Sequence, residues 1–232
     1  MTYALASAEF RTPRGRSALM AYRQDTNDWN TLWACLNEDE YGLRDRKVRT
    51  AVDIGAYIGG VTVGLALDNP DCRVIAVEPV PANVELLRTN VERNGLGERV
   101  TVLEGAAGGK EPVEVRFGYR GSPTLEHHAF VGNSSLAYDN EVIDHDAVTY
   151  DEPITLSRIV ELAGSIDLLK IDCEGGEYTF LDDPAAKSIP AIVGEFHPVR
   201  GKGQDDILAL LPEHTVTFTG PEAGPGGFVA VR

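Results

Sequence analysis

The stretch Thr50-Ala-Val-Asp-Ile-Gly55-Ala-Tyr-Ile-Gly59-Gly60 restricts the fold more than any other part of the chain. An apolar run ends on an acid, passes through spaced glycines and continues into Val61-Thr-Val-Gly-Leu-Ala-Leu67, which is apolar on most faces. A strand buried on both sides reads as a near-continuous apolar run, and a helix packed between a sheet and its neighbours is apolar around most of its circumference. This strand, turn and helix predict an open α/β sheet, whose ligands sit beyond the carboxyl ends of the strands, where glycine lets the backbone approach a nucleotide closely. The spacing Gly55-x-x-x-Gly59-Gly60 differs from the G-x-G-x-x-G dinucleotide fingerprint, which argues against a nicotinamide oxidoreductase.

Downstream, strands and helices alternate, the mark of parallel βαβ units. Arg73 to Val77 is the second expected strand and ends at Glu78-Pro79. Pro81 suits a first helical turn, Val84, Leu87 and Val91 supply a buried stripe, and Asn94-Gly95 stops that helix. Further strands are expected over Arg99–Leu103, Ile166–Ile171 and Ala191–Phe196. Thr215–Thr219 and Phe228–Val231 then form a hairpin across a Gly/Pro turn beginning at Pro221. Some sixty residues separate the third and fourth strands, too many for an ordinary crossover. Pro112–Phe117 alternates as a strand does, Gly132-Asn-Ser-Ser135 reads as a polar turn, and Thr155 can cap a helix through Leu162 that Gly164 ends. The amino-terminal part carries no strand-like core signal. Trp29, Leu32, Trp33 and Leu36, behind a candidate N-cap at Asn27, predict a helix with one buried stripe. The division expected is an amino-terminal helical segment, 1–48, able to cover a substrate mouth, and a catalytic domain, 49–232, with an insertion at about 108–154.

Charge narrows the partners. The formal net charge is −15, which repels phosphate backbones and anionic membrane surfaces, so a small molecule is expected in place of nucleic acid or membrane. Cys35, Cys72 and Cys173 are odd in number and widely spaced, so no disulfide framework is suggested and a cytoplasmic setting is expected. Arg11, Arg14 and Arg16 break the early apolar runs, leaving no signal-peptide core.

The acids at the strand ends carry the chemistry. Glu78, closing the second strand, can accept hydrogen bonds from ribose hydroxyls. Asp53, at the end of the first, can hold the cationic amine of an amino-acid-bearing cofactor, directly or through water. Together they suit S-adenosyl-L-methionine, an adenosine that carries an amino acid in place of a pyrophosphate.

Several blocks resemble FkbM-type methyltransferases: Val52-Asp-Ile-Gly-Ala-Tyr-Ile-Gly59, Val77-Glu-Pro-Val-Pro81 with Asn83 and Leu87, Asn90, Asn94, and above all Leu169-Lys-Ile-Asp-Cys-Glu-Gly-Gly-Glu177. Gly132-Asn-Ser-Ser135 and Gly194-Glu-Phe-His197 match further positions, and the resemblance runs from about Arg49 to His197. It implies a class I, Rossmann-like methyltransferase fold with a mostly parallel seven-stranded sheet and an antiparallel C-terminal hairpin. It also implies methylation of a hydroxyl of a polyketide, sugar or other secondary metabolite. Carried over, Asp53, Gly55 and Gly59 line the methionine part, which the ring of Tyr57 reshapes, Glu78 takes the ribose, and Pro79 and Asn83 are further cofactor-binding positions. Gly105, Ala106 and Ala107 take the adenine face, and Asp172 lies beside the reacting methyl. Two positions depart from the family: Tyr57 stands where Asn is usual, and Cys173 where a small apolar residue is usual.

An alcohol acceptor needs a base. His197 follows the fifth strand on the same sheet edge as Asp172, and its intrinsic pKa suits proton acceptance near neutrality, with Glu195 or Asp172 to orient it. Asp172, Glu195 and His197 alternatively offer ligands for Mg²⁺, although no metal is the preferred expectation. His127, His128, His145 and His214 are expected in loops or at the surface. The competing class is a catalytically silent member of the fold that only binds; retention of Asp53, Glu78 and Asp172 favours the enzyme.

Overall fold

The computed structural model describes residues 4–120, 127–131, 142–199, 201–220 and 224–232, with side chains described except at 118–120, 127–131 and 142–146. The polar turn expected at Gly132–Ser135 lies outside the described residues, as do the side chains of His127, His128 and His145.

The chain opens with a hairpin, β1 (Leu5–Arg11) and β2 (Ser17–Arg23), then α1 (Asp28–Leu32), which runs into a π-helical turn over Trp33–Glu38. The βαβ part follows as β3 (Thr50–Ile54), α2 (Gly60–Asp68), β4 (Arg73–Glu78), α3 (Pro81–Arg93) and β5 (Val100–Glu104). Next come β6 (Val113–Arg120), β7 (His127–Val131) and β8 (Val142–Tyr150). The chain ends with α4 (Leu156–Ala163), β9 (Leu168–Ile171), α5 (Glu177–Leu181), β10 (Ala191–Phe196), α6 (Gln204–Leu210), β11 (Thr215–Thr219) and β12 (Gly226–Val231).

The main sheet has seven strands in the order β11-β12-β10-β9-β3-β4-β5. β5, β4, β3, β9 and β10 are mutually parallel, and β12 runs antiparallel to both β10 and β11. This is the class I methyltransferase sheet with its antiparallel C-terminal pair, as expected. From β3 the chain moves outward through β4 and β5, then returns to place β9 on the other flank of β3. The β3/β9 boundary is therefore the topological switch point, where such sheets open a crevice.

Strand alternation sorts the core into two layers. Ala51, Val74, Ala76 and Leu168 face α2, α3 and the amino-terminal segment. Val52, Ile54, Val77, Leu169 and Ile171 face the opposite side, against Leu156, Phe180, Leu181 and Ile207. Thr155 caps α4 by accepting from the Arg158 N–H, and Gly164 ends it, as its sequence signals.

The amino-terminal segment is not only helical. Its first part is the β1/β2 hairpin, in register from Leu5 opposite Arg23 to Arg11 opposite Ser17. β1 buries little besides Phe10, and β2 ends on a buried Arg23, so the apolar period that reveals a strand is weak in both. The free edge of β2 is met by side chains of α3 in place of a third strand. Asn90 accepts from Ala21 N at 2.6 Å and donates to Ala21 O at 3.1 Å. Asn94, one turn on, accepts from Leu19 N and donates to Leu19 O, both at 2.9 Å. The helix that follows also differs from its expected stripe: Leu32 and Leu36 are buried, but Trp29 and Trp33 are 39% and 42% exposed and stack on one another. The insertion is a separate three-stranded antiparallel sheet, order β7-β6-β8. It is tied to the loop after β5 through Ile154 N to Ala106 O, 2.8 Å, and Gly108 N to Ile154 O, 3.1 Å. Among the described residues no helix is long and apolar enough to cross a membrane.

The switch point leaves no room for a side chain at Gly55. Its φ is +70°, and a Cβ there would overlap the Asp172 carbonyl oxygen across the β3/β9 boundary. Gly95 has a similar φ, +67°, with nothing within 4 Å of its would-be Cβ. Gly95→Ala is therefore expected to cost about 1–2 kcal/mol for the left-handed backbone alone. Gly55→Ala adds the overlap and should cost more than about 3 kcal/mol. Urea denaturation of the two variants checks the contrast.

Candidate active site

A cavity of about 420 Å³ opens over the carboxyl ends of five adjacent strands. Ile54 and Gly55 reach it from β3, Val77, Glu78 and Pro79 from β4, and Ala106 and Ala107 from the loop after β5. Lys170, Asp172, Cys173 and Glu174 come from β9 and the turn after it, and Glu195 from β10. The remaining wall is the amino-terminal segment, including Asn27, Asn30, Thr31, Glu40 and Tyr41. No described residue of the insertion lines it.

Glu78 is 3% exposed. Its Oε2 accepts from Tyr57 N at 2.8 Å, and its Oε1 accepts from Val80 N and Asn83 Nδ2, both at 3.0 Å. Burial raises its pKa, and those three donors hold it back. A carboxylate has about four acceptor directions, so three are occupied and Oε2 keeps one open. Tyr57 sits in the turn at φ +52°, a left-handed conformation that Asn tolerates better than Tyr. Its hydroxyl donates to Asp28 Oδ1. Burial, followed by the charge of Asp28, holds the phenol well above its ordinary pKa, so it stays a donor.

Three expected cofactor residues lie elsewhere. Asp53 is fully buried and does not line the cavity: strand alternation turns it into the helix layer. There it accepts from Thr62 Oγ1 at 2.6 Å and pairs with Lys170 Nζ at 3.2 Å. Gly59 is the left-handed residue preceding α2, and a Cβ on it would press on Leu87 at 2.7 Å, so its smallness serves packing. Gly105 does the same against Ile154, leaving Ala106 and Ala107 as the part of that loop in the cavity.

Asp172 lies at the switch point. Its backbone N–H donates to Ile54 O at 3.1 Å, and its Oδ2 accepts from Tyr41 Oη at 2.8 Å. Lys170, beneath it, donates to Ile54 O at 3.2 Å and Gly55 O at 2.9 Å. Cys173 has a half-buried thiol pushed well up by burial and by the charge of Glu177, so it packs and does not react. Glu177 accepts from Cys173 N and from Gly175 N, both at 2.9 Å, and so shapes the turn after β9.

His197 does not fit the role of a base. It does not line the cavity, and its ring lies between carboxylates: Nδ1 is 3.3 Å from Glu177, and Nε2 is 3.3 Å from Glu174 and 3.9 Å from Glu195. Burial alone would depress its pKa, but the Glu177 hydrogen bond and the charges of Glu174, Glu177 and Asp172 push it up to about 10. At neutral pH it is a cation with no lone pair to offer. Its close partners are Glu177 and Glu174, where Glu195 or Asp172 was expected. The ligand atoms of Asp172, Glu177 and His197 lie within 4.8 Å of one another, a set in which Glu177 replaces the expected Glu195. Glu195 does line the cavity, and burial followed by the charge of Asp172 pushes it up to about 7.

Sequence reasoning missed Glu40 and Tyr41, which reach the cavity from an exposed-looking polar run. The one pointer was the expectation that the amino-terminal segment covers a mouth.

The raised pKa of His197 sets a pH dependence. A histidine raised from 6.5 to about 10 contributes stability that is complete below about pH 6.5 and lost as pH climbs through about 10. His197→Gln should lower stability at pH 6 by about 2 kcal/mol. It should also flatten the decline between pH 6.5 and 10 in a series of thermal melts.

Comparisons with known proteins identify the family. The sequence profile of the methyltransferase FkbM domain matches residues 53–217, well over half of the chain. The ribosomal RNA small subunit methyltransferase G of Frankia alni is 41% identical over 70 residues, 29% of this chain and 27% of that protein. The O-methyltransferase imqG of Aspergillus flavus is 33% identical over 60 residues, 26% of this chain and 24% of that protein. The chain thus spans about a quarter of the length of the curated relatives it matches. Among solved structures, the methyltransferase FkbM of Methylobacillus flagellatus superposes with a TM-score of 0.49 at 17% identity, over 78% of this chain and 43% of that one. With the class I sheet, a cavity at its switch point and a profile match running from β3 into β11, the chain belongs to the FkbM methyltransferase domain family.

Proposed function

We propose that this chain is an S-adenosyl-L-methionine-dependent methyltransferase that acts on a hydroxyl group of a small secondary metabolite or sugar. The observation that carries the reading is the convergence of Glu78, Ala106–Ala107 and Asp172 on one cavity, from the ends of neighbouring parallel strands. Those groups suit the three parts of the cofactor. Glu78, with Tyr57, Pro79 and Asn83 around it, takes the ribose; Ala106 and Ala107 form an apolar face for adenine; Gly55 and Asp172 border the methionine end. When bound, the cofactor supplies a methyl group on a sulfonium sulfur. The chain's own task is alignment of the acceptor, exclusion of water and removal of the acceptor's proton.

For proton removal we assign Glu195 in place of His197. It lines the cavity two residues before the histidine, and a carboxylate raised toward neutrality is matched to general-base work near pH 7. His197 then serves as the buried cation that keeps Glu174 and Glu177 in place. Glu40 and Tyr41 cover the acceptor from the amino-terminal segment, which makes that segment a lid. The acidic lining and the net charge of −15 favour a small neutral or cationic acceptor over a polyanion, in a reducing cytoplasmic setting.

Calorimetry with S-adenosylhomocysteine tests the cofactor. The native chain should bind it, and Glu78→Ala should weaken binding at least about tenfold; no heat from the native chain refutes the reading. Mass spectrometry over a panel of hydroxylated metabolites, looking for the gain of one CH₂, tests the transfer. Binding without any transfer across the panel supports a catalytically silent binding module instead. With an acceptor in hand, Glu195→Gln should lower kcat by about 10²–10⁴-fold and remove the rise in rate through pH 7. An unchanged pH profile eliminates Glu195 as the base.

A further inference from the structure

The amino-terminal segment reaches the candidate cofactor site through a closed ring of buried hydrogen bonds. Arg23, at the end of β2, and Asp28, at the start of α1, are 4% and 0% exposed and form a bidentate pair: Nε to Oδ2 and Nη2 to Oδ1, both 2.9 Å. Arg23 Nη2 also donates to Asn83 Oδ1 at 2.8 Å, and Asn83 Nδ2 donates to Glu78 Oε1 at 3.0 Å. On the other side, Asp28 Oδ1 accepts the Tyr57 hydroxyl, and Tyr57 N donates to Glu78 Oε2 at 2.8 Å. The ring closes on Glu78. The Arg23 guanidinium also lies 5.5 Å from the centre of the Tyr57 ring.

Each link dictates the next. A guanidinium only donates, so the carbonyl end of Asn83 must face Arg23 and the amide NH₂ must face Glu78. Turned the other way, Asn83 would set its carbonyl oxygen against a carboxylate. Tyr57 is held in a left-handed conformation unfavourable for an aromatic residue, and its ring is secured by the hydroxyl bond to Asp28 together with packing against the core and the Arg23 guanidinium. That conformation aims its N–H at Glu78. A buried ion pair is a poor source of stability, because desolvation offsets most of the attraction, and its better-attested use is to specify one arrangement. Neither Arg23 nor Asp28 lines the cavity, and both lie outside the segment that matches the family profile.

We propose that Arg23 and Asp28 are positioning residues, which act through Asn83 and Tyr57 to fix the Glu78 carboxylate in the orientation that receives the ribose of the cofactor. The inference rests on the reading of Glu78 as the ribose acceptor. It makes the amino-terminal segment part of the cofactor site as well as a cover for the acceptor.

The test compares two ligands by calorimetry: S-adenosylhomocysteine and an analogue lacking both ribose hydroxyls. The native chain should prefer the first by about tenfold or more. The charge-neutral double variant Arg23→Gln/Asp28→Asn should reduce that preference to about twofold while holding the analogue with near-native affinity. Loss of structure would weaken both ligands alike, whereas loss of positioning erodes only the preference. A variant that keeps the native preference overturns the proposal. Equal binding of both ligands by the native chain overturns the ribose reading, and this inference with it. Should the double variant not fold, Tyr57→Phe decides by the same ratio: it breaks the ring at one hydroxyl and leaves the ion pair whole. A fall of about threefold in the preference supports the proposal, and an unchanged ratio overturns it.

Discussion

The site depends on one buried ammonium. Lys170 stands on β9 directly beneath the switch point, pairs with Asp53 across the β3/β9 boundary, and donates to the carbonyls of Ile54 and Gly55 where β3 ends. Burial alone would lower its pKa; the charges of Asp53 and Asp172 reverse that and raise it, so it stays charged. It thus does three things at once. It neutralises an acid that the strand period forces into the helix layer, and it satisfies two backbone carbonyls at the mouth of a crevice. It also puts a fixed positive charge under a cavity bordered by Glu40, Glu78, Asp172, Glu174 and Glu195.

What the sequence revealed follows from what reports locally. β3, β4, β10, α3 and α4 were legible because their apolar periods are strong and their ends carry punctuation with a mechanism: Pro81 inside a first turn, Thr155 at a cap, Gly95 and Gly164 beyond helix ends. The amino-terminal hairpin was not, because the partners of its free edge, Asn90 and Asn94, lie far along the chain. Asn90 and Asn94 replace a partner strand, and a side-chain amide four residues from another on a helix carries no visible link to a strand edge. The same distance hid the true environment of Trp29 and Trp33. They sit at helical spacing with Leu32 and Leu36 but lie at the outer end, where Trp29 packs against Phe10 and Tyr22 of the hairpin and Trp33 stacks on Trp29, and both stay partly exposed.

At the site the pattern is similar. Which strand ends carry acids could be read from the chain; which way those acids point could not. Asp53 is the penultimate residue of β3 and Glu78 the last of β4, yet Asp53 is taken up by Thr62 and Lys170, whereas Glu78 reaches the cavity. His197 shows the same limit in its charge. Position after β10 suggested a base, but a histidine's protonation is decided by its neighbours, and here Glu177 at the start of α5, joined by Glu174 from the turn after β9, raises its pKa. Tyr57, the oddest residue of the opening turn, acquires a reason only once α1 is in place, since its hydroxyl partner is Asp28.

These facts bear on how such a domain separates its tasks. The segment from β3 to β12 supplies the sheet, the switch point and most of the acids that face the cavity, and the family profile matches it as far as β11. The wall opposite those acids comes from residues ahead of β3, held on by Asn90 and Asn94 at one end and by the Arg23–Asp28 pair at the other. The Asn90 bonds to Ala21 and the Arg23 bonds to Asp28 and Asn83 are buried, so the cover cannot drift without breaking polar contacts shielded from water. A cover attached so firmly gives the cavity a fixed shape. That wall carries the small polar side chains Asn27, Asn30 and Thr31, together with Glu40 and Tyr41. Of these, Tyr41 is tied to a strand end directly, through its hydroxyl bond to Asp172.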